Sequence, residues 1–512
     1  MYEKGEGFML KNVLEALEKS SKQNETKIIF GQSDREITYG EFVKHAKTIG
    51  TSLLQKVSKK RVPIMIWLDK TITCLETMMG VLYSGNFYTI ADTKSPKERV
   101  QNMIDILECH TVIADAKNIA KLEKLELKGI HILRYEDLLE NTIDETILQE
   151  VRNAQIDTDP AYVLFTSGST GVPKGTVVNH RSILAYTSWV QDCFEINANT
   201  IFGSQTPFYF SMSILDVYTT MLTGATLYII PKMYFSFPVK LIEFVKQKKI
   251  NTIYWVPSAL CIVANLGALD NINLPDLKKV LFAGEVMPVK QLNMWQKALP
   301  NCMYANLYGP TETTDICTYY IVNRKFENNE TLPIGTHCNN CNIILLKEDG
   351  TEASEGEEGE ILVRGTFLAD GYYGNEEKTK EAFIQNPLNT KYPELVYKTG
   401  DIGKYNEKGE LLYVSRKDYQ IKHMGYRIEL GEIEKNIYGV EGIILCAAIY
   451  DEKADKIILF YQGTIEENDL AKQASPKLLP YMKPNQYIKL EKMPYNANGK
   501  IDRKQLKQNI NM

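Results

Sequence analysis

Residues 162–175 read Tyr-Val-Leu-Phe-Thr-Ser-Gly-Ser-Thr-Gly-Val-Pro-Lys-Gly. An apolar run of strand character, Tyr162 to Phe165, opens into Thr166, Ser167, Gly168, Ser169, Thr170 and Gly171, with Lys174 close behind. Hydroxyls donate, bare glycines let backbone N–H groups approach anionic oxygens, and the lysine adds charge. The combination suits a polyphosphate. It is not a Walker A loop, because Lys174 is followed by Gly175 rather than by Ser or Thr. Taken alone, the segment reads equally as a flexible Gly/Ser/Thr surface loop.

More chemistry follows in order along the chain. Asn306-Leu307-Tyr308-Gly309-Pro310-Thr311-Glu312 turns sharply at Gly-Pro and presents an aromatic ring, a hydroxyl and a carboxylate. Tyr397-Lys-Thr-Gly-Asp401 offers an acid able to accept hydrogen bonds from a ribose, and Arg416 and Asp418 come next. Gly425-Tyr-Arg427-Ile-Glu429-Leu-Gly431-Glu432 and Asn498-Gly499-Lys500-Ile501-Asp502 complete the series. Each has a plain alternative: a loop at Gly-Pro, a turn residue at Asp401, an exposed lysine at Lys500.

These groups need elements to position them. Val62–Trp67, Phe87–Ala91, Thr111–Ala114, Thr226–Ile230, Thr252–Trp255 and Lys279–Ala283 are short β-rich runs between helical patterns. That is an α/β pattern of mostly parallel sheets flanked by helices, which bind ligands beyond the carboxyl ends of their strands. From about residue 335 hairpin signals appear, Lys347-Glu-Asp-Gly350 and Asn406-Glu-Lys-Gly409, marking a strand-rich subdomain over about 335–416. The expected division is a large N-terminal unit, 1–416, and a small α+β unit, 417–512, with a boundary near Asp418.

The chain has 512 residues, 44% hydrophobic and 24% charged, with a net charge of −5. That length exceeds a single core, and the balance gives no basic footprint for nucleic acid. The N-terminal residues lack a signal-peptide layout, and no apolar run approaches the ~20 residues of a membrane span, so a cytoplasmic location is expected. The nine cysteines are scattered and read as reduced and mostly buried. His337, Cys338 and Cys341 have no second pair at zinc spacing and read as an incidental loop.

Five motifs in one order, over nearly the whole length, resemble the adenylate-forming ligase superfamily. The likeness is nearest to nonribosomal peptide adenylation domains and D-alanine–carrier protein ligases. By that resemblance ATP and Mg²⁺ are the cofactors. Thr166, Glu312 and Lys500 would be catalytic. Residues Thr166 to Lys174 would hold phosphate, Tyr308 would stack on adenine beside Asn306 and Gly309, and Thr311 would touch phosphate. Glu312 would hold Mg²⁺, and Asp401 would bind the ribose with Arg416 nearby. Lys500 would bridge the substrate carboxylate and the α-phosphate. Asp418 would be the hinge of a mobile C-terminal domain that withdraws Lys500 and then presents the face near Gly425 to a phosphopantetheine thiol.

The same resemblance implies an acid pocket of Phe210, Ser211, Met212, Leu215, Trp255, Leu281, Ala283, Gly284, Leu307, Asp315 and Ile316. Relatives that activate α-amino acids carry an aspartate where this chain has Ser211, and a hydroxyl cannot compensate a buried ammonium. Asp315 is the one acid of an apolar cup and wants a partner. It reads either as receiving a hydroxyl or amine at the far end of a flat acid, such as a hydroxy- or aminobenzoate, or as a cap on local backbone. Asp216 reads as structural. The D-alanine ligases also carry a cysteine where this chain has Ala283. The expected acceptor is a separate carrier protein with a phosphopantetheine arm, or coenzyme A. The alternatives are a D-alanine–carrier ligase and an acyl-CoA synthetase.

Overall fold

The computed structural model describes residues 10–167, 172–270, 272–328, 330–417, 420–495 and 501–510. Among these, two large mixed sheets form the body. One has seven strands in the order 371–372, 174–179, 160–166, 87–90, 63–67, 111–114 and 131–134. The other has nine, with a parallel centre of 303–308, 279–283, 252–255, 201–204, 226–229 and 28–31 and antiparallel edges. The central strands are short and apolar because helices cover both faces: Pro63–Trp67, Phe87–Ile90 and Thr252–Trp255 are buried at every position. Helices start at clear signals. Thr38 and Glu41 form a capping box on Tyr39–Lys56, and Asn179 caps His180–Cys193 by accepting from the Ser182 N–H.

A five-stranded antiparallel sheet follows, 341–346, 359–365, 395–405, 383–385 and 411–416. The strand-rich texture expected from about 335 is present, but the segment is not closed on itself. Gly371–Tyr372 adds to the seven-stranded sheet, and Thr336–His337 to the nine-stranded one. From Gln420 onward the chain makes the two-stranded hairpin Gln420–His423 and Tyr426–Glu429, then a three-stranded sheet. These strands have cores of their own, one around Ile428, Ile433, Leu459 and Leu479 and one around Ala447, Phe460 and Leu506. Cys338 and Cys341 are buried, while His337 is exposed. Among the described residues no helix is long and apolar enough to cross a membrane.

Candidate active site

Part of the expected set comes together where parallel strands end. Thr166 closes one strand of the seven-stranded sheet, and Ala283 and Tyr308 close adjacent strands of the nine-stranded one. A cavity of about 90 Å³ lies there, lined by Thr166, Ser167, Phe210, Ser211, Met212, Ala283 and Gly284. Gly309, Thr311, Asp315, Ile316, Asp401 and Arg416 complete that side, and Lys422, Gly425 and Arg427 of the hairpin close the other. Sites for small organic ligands typically measure ~300–1,000 Å³, so the docked hairpin leaves room for only part of a nucleotide. Gly168, Ser169, Thr170, Gly171, Asp418 and Lys500 lie outside the described residues.

The antiparallel register places Asp401 directly across from Arg416. The guanidinium donates to Asp401 Oδ1 at 2.7 Å, and the Tyr308 hydroxyl donates to Oδ2 at 2.5 Å. This gives a buried carboxylate with two fixed donors at the mouth of the cavity. Asn306 supports the same strand end by donating from Nδ2 to the Pro333 carbonyl at 2.8 Å. The Lys422 ammonium lies 5.1 Å from the Tyr308 ring centroid. The Thr166 hydroxyl is buried and, among the described residues, has no hydrogen-bond partner.

Glu312 is fully buried on the turn after Gly309-Pro310. Burial alone would raise its pKa, but the charges of Arg427 and Lys174 and a hydrogen bond from Tyr372 outweigh it and hold the group down at about 2. Arg427 Nη1 reaches both carboxylate oxygens, at 2.9 and 2.7 Å, and the Tyr372 hydroxyl donates to Oε1 at 2.8 Å. Lys174 lies over the Tyr372 ring, 5.0 Å from its centroid. A carboxylate held ionised is the hard oxygen ligand that Mg²⁺ takes, so the donor chemistry fits that ion once the guanidinium has moved away.

The turn also aims Asp315. At Gly309 a Cβ would come within 2.2 Å of the Asp315 carbonyl oxygen, so only glycine lets the chain fold back there. Thr314 takes φ +68°, a strained region for a β-branched residue, and is held by a 2.8 Å bond from its hydroxyl to the Phe367 carbonyl. Asp315 then accepts at Oδ2 from the hydroxyls of Tyr186 at 2.7 Å and Tyr254 at 3.1 Å. Burial pushes its pKa up to about 8 despite those two donors. Ser211 Oγ lies 3.2 Å from Thr311 Oγ1.

Leu215, Trp255, Leu281 and Leu307 are buried in the core and are not among the residues lining the cavity. Neighbouring strand residues face opposite ways, and it is Tyr254 that reaches Asp315. The Trp255 indole N–H donates instead to the Gly203 carbonyl at 2.8 Å. Asp216 is buried within the Ser213–Thr223 helix, its pKa raised by burial and drawn back by Lys70. Lys70, half-buried and with its pKa lowered by desolvation, donates to the Ser204 carbonyl at 3.0 Å.

Sequence reading passed over Tyr186, Tyr254, Tyr372 and Lys70, and gave Arg427 no role although the motif containing it stood out. Nothing local in the chain marks the three tyrosines.

Besides the Arg427–Glu312 pair, further contacts seat the hairpin and the helix that follows it. Ser167 Oγ donates to the Arg427 carbonyl at 2.8 Å and accepts from the Glu429 N–H at 3.1 Å. The Gly425 N–H donates to Glu285 Oε1 at 2.6 Å, and Arg99 pairs with Glu432. Gly425 sits at φ +81°, and a Cβ there would lie 2.5 Å from Val256 Cγ1, so the tip needs glycine twice over.

A cavity at the ends of the central strands is thus lined on one side by the large sheets and on the other by a hairpin that leads into a separate core. The chain matches the AMP-binding enzyme family over residues 17–373, more than half its length, and belongs to that family. With the family comes the reaction class, an ATP-dependent adenylate-forming ligase. The chain is 29% identical to a D-alanine–D-alanyl carrier protein ligase of Bacillus cytotoxicus over 519 residues, covering 96% of this chain and 98% of the relative. The fold is shared with the Vibrio cholerae adenylation domain AlmE, solved with glycyl-adenosine-5'-phosphate, at TM-score 0.85, 23% identity and 100% of both chains. It is shared too with NpsA-ThdA, an artificially fused adenylation–PCP di-domain from Klebsiella oxytoca, at TM-score 0.82, 18% identity and 94% of both chains.

Proposed function

We propose that this ligase activates a small carboxylic acid that carries a polar tip and transfers it to the phosphopantetheine thiol of a separate carrier protein. The observation that carries the substrate half is the Asp315 carboxyl, lining the cavity with two tyrosine donors on one oxygen, while Ser211 supplies no countercharge. A hydroxy- or aminobenzoate-like acid suits that pocket. A second reading, D-alanine, is favoured by the near full-length likeness to D-alanine–D-alanyl carrier protein ligases. Coenzyme A is the alternative acceptor.

In the first half-reaction the substrate carboxylate oxygen attacks the α-phosphorus of ATP and pyrophosphate leaves. Two anions meet, so catalysis is chiefly charge stabilisation. Thr166, Ser167 and Lys174, with Gly168 to Gly171, would hold the phosphates together with Thr311. Tyr308 would pack on adenine, Asp401 and Arg416 would orient the ribose, and Lys500 would bridge the carboxylate and α-phosphate. Glu312 would hold Mg²⁺, which supplies positive charge to the phosphates. In the second half-reaction a thiolate attacks the acyl carbonyl and AMP leaves. For that step the segment from 417 onward would turn as a small domain about Asp418 and set the Gly425 face against the site.

ATP–pyrophosphate exchange with purified protein, Mg²⁺ and a panel of acids tests the reading. Exchange with a benzoate but not with α-amino acids supports the Asp315 assignment. Exchange with D-alanine moves the substrate to the second reading. Exchange with no acid refutes both. Acyl transfer to a carrier protein or to coenzyme A then separates the acceptors.

A further inference from the structure

We propose that an exposed apolar patch beside the cavity, made by Met233, Phe237, Val239, Ile262, Leu266 and Val286, is the surface on which the carrier protein docks while its thiol enters. This rests on the reading that the acceptor is a carrier protein. It puts the recognition of that protein on the large unit, outside the cavity itself.

The six side chains are between 37% and 70% exposed and come from adjoining pieces of chain. The helix Pro257–Asn265 packs against the 3₁₀ segment Lys232–Ser236 and against the helix Val289–Ala298. Ile262 and Leu266, four residues apart, share the outer face at the end of the first helix. Val239 opens the helix Pro238–Gln247, and Val286 stands just before Val289–Ala298. The segment that carries Met233 and Phe237 is held from below. Phe235 packs edge-on against Trp255 with ring centroids 5.2 Å apart, and Tyr234 against Phe244 at 5.8 Å. The Phe237 N–H donates to the Tyr234 carbonyl at 2.9 Å. Apolar groups fixed in this way lose little freedom on binding, and a contiguous exposed patch of them marks an interaction site.

Position and charge both select the occupant. Ser258, at the start of the helix Pro257–Asn265, donates its N–H to Glu285 Oε2 at 2.8 Å, and Gly284, beside Glu285, lines the cavity. The patch therefore begins at the cavity rim. Leu266 lies eight residues, about 12 Å, along the helix from Ser258. On the other flank three strand spacings, about 14 Å, separate the strand ending at Ile229, which leads to Met233, from the strand ending at Ala283. A phosphopantetheine arm runs about thirteen bonds from phosphorus to sulfur, the length of about four peptide residues, so it reaches at most about 15 Å. A protein seated on the patch keeps the root of its arm within reach of the cavity. That root is a phosphodiester, and exposed Lys232, Lys240 and Lys290 stand beside the apolar residues. The Lys240 ammonium lies 5.8 Å from the Phe237 ring centroid. An apolar centre flanked by cations suits the anionic root of the arm. A second copy of this chain, paired through the same patch, would instead bring these lysines against their own copies.

Steady-state acyl transfer by the full-length enzyme separates recognition from chemistry, with the holo carrier protein that the wild type loads fastest as the probe. In the double variant Phe237→Ser, Leu266→Ser the KM for that carrier should rise at least about tenfold, the usual loss when central anchors of an interface are removed. Its kcat should stay near the wild-type value. ATP–pyrophosphate exchange should also keep the wild-type rate, which reports that the variant is folded. Lys232→Glu with Lys240→Glu should raise the same KM and flatten its dependence on salt. Tyr392→Ser removes an aromatic that is 61% exposed between two strands of the five-stranded sheet, and it should change nothing. An unchanged carrier KM in the double variant, or an equal rise in Tyr392→Ser, overturns the proposal. So does a wild-type dimer that the double variant splits, by sedimentation, while the carrier KM holds, because the patch then joins two copies. If the wild type acylates coenzyme A and loads no carrier protein, the acceptor reading falls, and the docking surface falls with it.

Discussion

On the proposed reading Asp315 would sort substrates by the charge of their polar tip, and pH is the perturbation that tests it. Burial raises its pKa to about 8, the Tyr186 and Tyr254 hydroxyls pulling the other way. At pH 6.5 the carboxyl is then about 3% ionised, and at pH 7.5 about 24%. An alkylammonium tip pairs only with the ionised form, so its apparent affinity scales with that fraction. KM for such an acid should fall about eightfold between pH 6.5 and 7.5. A hydroxybenzoate, uncharged at its tip, bonds either form and should show a flat KM across that range. The assay is ATP–pyrophosphate exchange at five pH values with one acid of each kind, on wild type and on Asp315→Asn. Asparagine keeps a carbonyl for the two tyrosine donors but cannot titrate, so the slope should vanish. Losing the countercharge should also weaken an alkylammonium acid by about 2–5 kcal/mol. A KM for an alkylammonium acid that stays constant from pH 6.5 to 7.5, or a slope that survives in Asp315→Asn, refutes the role of Asp315.

The same carboxyl should mark stability. Its folded pKa, about 8, exceeds the ordinary 3.8, so between those values the native chain holds a proton that the unfolded chain has released. Stability therefore drains as pH rises from about 4 to about 8. From pH 5.5 to 7.5, urea titration should show wild type losing up to about 3 kcal/mol more than Asp315→Asn. Gly425→Ala forces a left-handed alanine against Val256, a strain of about 1–3 kcal/mol on the docked hairpin. Acyl transfer to a thiol should fall about 5–150-fold, and pyrophosphate exchange far less; equal losses in both assays would show that Gly425 does not act through docking. Lys500→Ala should lower pyrophosphate exchange by roughly 10²–10³. Hydrolysis or transfer of a supplied acyl-adenylate should be affected far less, and a matching loss there would deny Lys500 its part in adenylate formation.

The strands were legible because fully buried parallel strands leave an unbroken apolar signature. The runs at Val62–Trp67 and Thr252–Trp255 lie within a residue of the observed elements. Asp401 and Arg416 could be named from motifs, but their pairing needed the hairpin register that sets them opposite each other. Trp255 was the conspicuous residue of its strand, yet the half-turn of the pleat gives the contact with Asp315 to Tyr254. Arg427 meets Glu312 across 115 residues, and Tyr186 meets Asp315 across 129. Contacts at that separation are made by the packing of whole units and leave no periodicity to read. The strand-rich stretch after 335 was recognisable by its turns, but turn chemistry does not say which sheet a two-residue strand such as Gly371–Tyr372 joins.

The Tyr186–Asp315–Tyr254 triad also bears on how this pocket can evolve. Its members sit on a helix, a loop and a strand that are far apart in the gene, so no short recombination event exchanges them together. Replacing the acid alone by an apolar residue strands two buried hydroxyls, at about 1–3 kcal/mol each. Replacing one tyrosine alone deprives the acid of half its support. Drift to a wholly apolar pocket must therefore cross a destabilised intermediate, or wait for a stabilising change elsewhere. Lineages descended from this sequence should keep or lose the three residues as a set.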